Sequence, residues 1–150
     1  MNNNSIQVVV DTNVFVKAIF HRDVNSKKLF QLKSQNKVCF IMNKEMQNEL
    51  IVTFFKLLLS TLSKKDVQQS ITLGALLSSS LWQVREIDHL SHTNYSEDID
   101  DNKFVDCAID SDTKYIITYD EHLNSIADKL KEEYDINVMS PFQFINDIKS

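Results

Sequence analysis

The sequence predicts an α/β protein, a three-layer α/β/α sandwich with a central parallel sheet, and three observations carry that prediction. Short apolar, β-branched runs at Ile6 to Val10, Val38 to Met42, Tyr115 to Thr118 and Ile136 to Met139 alternate with segments of helical character. The runs are continuous rather than alternating in polarity, as expected of strands covered on both faces. Strands separated by helical stretches of about ten or more residues join in parallel through right-handed crossovers, which lay helices over the sheet.

Each element has its own signal. Ile6 to Val10 ends abruptly at the polar triplet Asp11-Thr12-Asn13, which opens a helix from Val14 to Phe20. Ser26 to Gln35, with Leu29, Phe30 and Leu32, reads as a short helix, and Val38 to Met42 as a second buried strand. Asn43 is an N-cap residue for a long helix whose apolar stripe is Met46, Leu50, Phe54 and Leu57. Ser63 is expected to cap a further helix through Leu77, and Trp82 to Ile87 to form a strand. Asp88 to Asp100 is the one polar stretch long enough for a loop, and Asp100 is expected to cap a helix holding Phe104, Val105, Ala108 and Ile109. Glu121 to Tyr134 reads as helix, Ile136 to Met139 as the last strand, and Pro141 as the opening of a terminal helix at its first turn.

With 150 residues, 43% of them hydrophobic and 25% charged, the chain is expected to form one globular domain over residues 1–150. Glycine occurs once, at Gly74, and proline once, at Pro141, which excludes the P-loop, the dinucleotide fingerprint and the nucleophile elbow together. Cys39 and Cys107 lie far apart in apolar stretches, the pattern of small buried hydrophobes rather than of a disulfide or zinc framework. Met1 to Val10 does not resemble a signal sequence, and the longest greasy run, Leu50 to Leu59, is too short for a bilayer and carries Lys56. A reducing cytoplasm and no membrane association are therefore expected.

The net charge of −5 conceals a polarity, because residues 1–75 hold 10 Lys/Arg against 5 Asp/Glu and residues 76–150 hold 6 against 16. Binding to a polyanion at the acidic end requires something other than the chain's own cations, and a divalent metal is the obvious candidate.

In open parallel sheets ligands bind outside the carboxyl ends of the strands, which selects Asp11 and Asp120. An Asp is poor in a strand, and folding does not call for a carboxylate at either position, although capping or turn formation is the alternative reading. On a helical wheel at roughly 100° per residue with Phe104 at the origin, the apolar face centres near ~70° and Asp101 falls near ~60°, while Asp106 at ~200° and Asp110 at ~240° read as solvated. A carboxylate aimed at the core would be costly, so Asp101 must turn to the sheet end or to the helix terminus, where it would favour the macrodipole. Glu49 lies beside the Met46/Leu50 stripe and is the weakest candidate by itself. Carboxylates gathered at one sheet end raise one another's pKa unless a cation compensates them. Oxygen ligands without a His/Cys set favour Mg²⁺ or Mn²⁺ over zinc, and such ions clamp phosphates and activate water for phosphodiester hydrolysis.

The same residues resemble the PIN-domain family of metal-dependent nucleases, especially its bacterial toxin–antitoxin branch, the VapC-like ribonucleases. Val8-Val9-Val10-Asp11-Thr12-Asn13 resembles the family's opening strand plus DTN, and Glu45 to Leu50 its E-x-x-x-E-L helix. Asp100-Asp101-Asn102-Lys103-Phe104 is similar to its DD-x-K-F segment, and Ile116-Ile117-Thr118-Tyr119-Asp120 to its closing strand and Asp. The resemblance covers nearly the whole chain and implies a Rossmann-like sandwich in which Asp11, Glu49, Asp101 and Asp120 are catalytic metal ligands for Mg²⁺ or Mn²⁺, supported by Asn13 and Thr118. It further implies an RNA substrate and an antitoxin protein as partner. Two features depart from the family: Tyr119 stands where a glycine is common, narrowing the site or offering a stacking ring, and the segment from Glu97 to Asp112 is strongly acidic.

Outside that constellation, His21, His89, His92 and His122 form no recognised metal motif, and His89-x-x-His92 reads as a solvated loop pair. Arg22, Lys27, Lys28, Lys33 and Lys37 make a locally basic stretch, either a phosphate track or a solvated helix face. Leu50 to Leu62 is apolar nearly all round, which suits burial between layers of its own fold or against a second chain, a homodimer partner or an antitoxin helix. The leading expectation is a metal-dependent endoribonuclease; the alternatives are a catalytically silent PIN-fold module that binds RNA or protein, and a haloacid-dehalogenase-type phosphohydrolase, disfavoured because Asn13 replaces its second Asp.

Overall fold

A computed structural model describes residues 5–63, Gln68 and residues 84–149. Among these residues, five strands form a parallel sheet: β1 (Ile6–Val10), β2 (Val38–Asn43), β3 (Arg85–Ile87), β4 (Tyr115–Ile117) and β5 (Asn137–Met139), in the spatial order β3-β2-β1-β4-β5. The helices are α1 (Thr12–Ile19), α2 (Val24–Ser34), α3 (Lys44–Ser63), α4 (Asn102–Asp110), α5 (Glu121–Ser125), α6 (Ala127–Tyr134) and α7 (Pro141–Asp147), with a 3₁₀ turn at Ile99–Asp101 leading into α4. Helix α4 packs on β1, β2 and β4, whereas α2, with α1 and α7 against it, packs on β2, giving the expected three-layer α/β/α sandwich.

The strand order reverses beside β1, whose neighbours are β2 on one side and β4 on the other. That is the switch point at which the carboxyl ends of parallel strands leave a crevice. The Asp11 amide donates to the Ile117 carbonyl at 3.0 Å, tying the ends of β1 and β4 together. Beneath it, Val8, Val9, Val10, Ile116 and Ile117 are buried, and Phe15 meets Phe30, Phe40 and Phe54 edge-on, the geometry that ring quadrupoles favour.

Local chemistry sets the element boundaries. Asn43 caps α3 as expected, its Oδ1 accepting from the Met46 amide at 2.9 Å. Ser140 and Gln143 form a capping box around Pro141. Helix α2 begins ahead of the expected Ser26 because Asp23 accepts from the Ser26 amide at 2.7 Å. Asp100 is not the cap of α4: Asp98 is extended and accepts from the Asp100 amide at 3.0 Å, so the chain is already in its 3₁₀ turn at Asp100. The stretch from Glu121 to Tyr134 breaks at Ile126, after Asn124 and Ser125 have bonded back to the carbonyls of Asp120 and His122 and competed with the helical ladder. Ser63 ends α3 and bonds back to Ser60; the further helix expected through Leu77 and the first residues of the strand expected from Trp82 lie outside the described residues. Arg22, Asn36, Asp112 and Asp135 adopt positive φ, the task usually left to glycine, of which this chain has only Gly74.

Candidate metal centre

All four predicted carboxylates, Asp11, Glu49, Asp101 and Asp120, line one cavity of about 420 Å³ at the carboxyl ends of β1 and β4, together with Asn13, Lys103 and neighbouring residues. They arrive from four different segments: the start of α1, the second turn of α3, the start of α4 and the start of α5.

Asp11 is 6% exposed and serves two purposes at once. Its Oδ1 accepts from the Asn13 amide at 3.2 Å, capping α1, and its Oδ2 accepts from the Thr118 hydroxyl at 2.6 Å. Burial pushes its carboxyl up to about 6; the bonds from Thr118 and Asn13 oppose that shift, while the charges of Asp101 and Glu49 add to it. Asp120 likewise caps α5, accepting from the amides of His122 and Leu123, so capping and cavity lining are not exclusive readings of either residue. Thr118 Oγ1 also accepts from the Asp120 amide at 2.8 Å.

Asp101 stands at the N-cap position of α4 without a side-chain capping bond. Its carboxyl is raised to about 6 by burial and by the charges of Asp120 and Asp98, with Lys103 and the exposed His122 acting in the opposite sense. Glu49 is ion-paired with Lys103, whose side chain is only 6% exposed and whose ammonium also lies 4.9 Å from the Phe104 ring centre. In the sequence Lys103 is only part of a motif; its burial beside a carboxylate-lined cavity follows from the packing of α3 against α4.

Asn13 lines the cavity and accepts from the Tyr119 amide at 3.4 Å. Tyr119 neither stacks over the site nor narrows it: its hydroxyl donates to Asp23 at 2.7 Å and its ring lies beneath Lys17, fastening the end of β4 to the start of α2. Of the basic stretch, Lys33 is buried with its ammonium 5.3 Å from the Phe40 ring centre, and it is no part of a surface track. Cys39 and Cys107 are free thiols, and burial pushes that of Cys107 up to about 12.

Two readings of the acidic segment need correction. Asp106 is buried, not solvated, because the 88–98 loop folds over α4: Asp106 accepts from the Thr93 amide and pairs with His89. Asp110 accepts from the amides of Leu90 and Ser91 in the same loop. His89 is correspondingly lodged between Glu45 and Asp106 rather than free in solvent.

An oxygen-only donor set of this kind, with two carboxyls displaced upward by burial and by neighbouring carboxylates, fits a hard divalent cation such as Mg²⁺ or Mn²⁺. Residues 7–122 match the family model described as PIN domain. The chain belongs to the PIN-domain family. Over its whole length this PIN domain is similar to an uncharacterized protein of Methanocaldococcus jannaschii, 29% identical over 153 residues that cover 99% of this chain and 96% of the relative. Its fold is similar to that of a chain in the crystal structure of VapBC2 from Rickettsia felis bound to a DNA fragment from their promoter, with a TM-score of 0.53 and 17% identity over 89% of this chain and 97% of that one. No helix among the described residues is long and apolar enough to cross a membrane.

Proposed function

We propose that this PIN domain, one domain over residues 1–150, is a Mg²⁺- or Mn²⁺-dependent endoribonuclease of the cytoplasm and the toxin component of a toxin–antitoxin pair. Asp11, Glu49, Asp101 and Asp120 would hold the metal and form the catalytic set, with Asn13 and Thr118 as supporting polar groups. The observation that carries this reading is the convergence of four carboxylates from four segments on one cavity at the β1/β4 switch point. When bound, the cation supplies the charge that grips a phosphate and the acidity that activates a water for in-line displacement. The protein's own part is positional. Thr118 fixes the Asp11 carboxylate and the Asp120 backbone through one hydroxyl, and Asn13 ties the start of α1 to the chain after β4. An antitoxin or a second copy of the chain would cover the exposed apolar face of α3 formed by Ile51, Val52, Phe55, Leu59 and Leu62.

Asp11→Asn and Asp120→Asn should each abolish EDTA-sensitive cleavage of single-stranded RNA while leaving the circular dichroism of the parent. Cleavage at the parent's rate by either variant would overturn the assignment. The second reading, a silent module that binds RNA or protein, is favoured by one observation: a lysine already neutralises Glu49. Mn²⁺ titration separates the two, since a silent module need not bind the ion at all.

A further inference from the structure

Outside the lining of the carboxylate cavity, the 88–98 loop brings two histidines down on α4 and the first turn of α3. His89 Nε2 lies 2.9 Å from Asp106 Oδ2, and its Nδ1 lies 3.2 Å from Glu45 Oε2. A neutral imidazole has a single N–H. With that hydrogen given to Glu45, Nε2 presents a lone pair to a carboxylate oxygen at 2.9 Å, and two acceptors so close require a cation or a second proton. His92 completes the cluster: its ring centre is 4.9 Å from that of His89, and one ligand atom from each of His89, His92 and Asp106 lies within 4.8 Å of the others.

The surroundings are those of a metal ligand set. Asp106 is 3% exposed, and its second oxygen accepts from the Thr93 amide at 2.9 Å, which orients the first toward the histidines. Glu45 behind His89 reproduces the carboxylate–histidine arrangement that fixes the tautomer of ligating imidazoles. Thr93 also holds the buried side-chain oxygen that lacks a hydrogen-bond partner among the described residues, a sign that the polar chemistry here is incomplete.

We propose that His89, His92 and Asp106 form a second divalent-metal site, distinct from the carboxylate cavity, with Glu45 as the orienting carboxylate. Two imidazoles and one carboxylate suit Zn²⁺, whereas the all-oxygen cavity suits Mg²⁺ or Mn²⁺. A fourth position remains for water, and the ion fastens the 88–98 loop to α3, which carries Glu49, and to α4, which Asp101 precedes.

The test uses the full chain in the Asp11→Asn background, which weakens the carboxylate cavity, and measures Zn²⁺ by competition with a chromogenic chelator. One ion per chain is expected. His92 is exposed, so His92→Ala tests ligation without disturbing the core, and it should lower zinc affinity at least about tenfold. Glu45→Gln should weaken it by about 10–100-fold. Co²⁺ should give visible absorption bands in the parent that His92→Ala removes. Zinc affinity unchanged by His92→Ala would overturn the site. So would absence of stoichiometric zinc binding, the result expected if a proton alone joins His89 to Asp106.

Discussion

The hydroxyl of Thr118 donates a 2.6 Å hydrogen bond to the Asp11 carboxylate across 107 residues of sequence. Thr118 is fully buried, and the same oxygen accepts from the Asp120 amide, so the positions of two cavity residues depend on one side chain. Thr118→Val keeps the shape and removes the bond. Leaving a buried carboxylate oxygen short of a partner costs about 1–3 kcal/mol. The variant should melt several degrees below the parent in EDTA at neutral pH, whereas Thr118→Ser should recover most of the loss. An NMR titration should also place the Asp11 carboxyl above about 6, since the lost bond opposes the upward shift. Equal melting of Thr118→Val and parent would mean that the bond contributes nothing.

Protons and metal should compete for the cavity. Asp11 and Asp101 are both lifted from 3.8 to about 6. The folded values exceed the unfolded ones, so between about pH 4 and 6 the native state binds more protons, and the stability of the metal-free protein falls as pH rises through that window. Burial is the main cause, with charge repulsion added to it; a bound divalent ion offsets both at neutral pH but is displaced by protons at pH 5. Mn²⁺ should therefore raise Tm more at pH 7.5 than at pH 5. His89, held above its ordinary value mainly by its bond to Asp106, also costs stability as it loses its proton, and Asp101→Asn separates the two effects. In EDTA at neutral pH that variant should melt up to about 2–4 °C above the parent, corresponding to ~1 kcal/mol after allowance for solvent screening. A Tm below the parent's would contradict a net cost of burying this charge beside Asp120 and Asp98.

The strands and the ends of β1 and β4 were legible in the sequence because a parallel sheet writes continuous apolar runs, and a carboxylate right after such a run marks the strand's end, where here it also caps the following helix. Asp11 and Asp120 were singled out that way, and the helical wheel left Asp101 either the sheet end or the helix terminus; all three line the cavity. Asp106 was misread for a definite reason. A wheel describes one helix against one sheet and knows nothing of a loop folding over its other side, as the 88–98 loop does through Thr93 and His89. Lys103 and the break at Ile126 were equally hidden, the first set by packing between α3 and α4, the second by side chains competing for carbonyls.

Arg22 tests the cost of having so little glycine. It sits at φ 51, between α1 and the Asp23 cap of α2, where a Cβ is unfavourable and no Asn or Asp side chain eases the strain. Arg22→Gly should stabilise the protein by about 0.5–1 kcal/mol, the relief exceeding the added freedom of the unfolded chain. Chemical denaturation reads this directly through an unchanged m-value and a higher midpoint. A lower midpoint would show that the arginine side chain contributes more than its backbone costs.

Lys103 holds the charge balance of the cavity. Its ammonium pairs with Glu49 and favours the ionised form of Asp101, so it stands in for part of the positive charge that a metal would bring. Lys103→Met preserves the buried stem and deletes the charge. A unit charge at about 4 Å interacts with a divalent ion by roughly 2 kcal/mol even at the dielectric constant of water, so Mn²⁺ should bind about tenfold or more tightly to the variant. Without metal the same variant should be less stable than the parent at neutral pH, because Glu49 and Asp101 lose their nearest compensation. Calorimetric titration with Mn²⁺ and a melting curve in EDTA check the two halves separately. Weaker Mn²⁺ binding by Lys103→Met would show that Lys103 organises the ligands rather than competing with the ion for them.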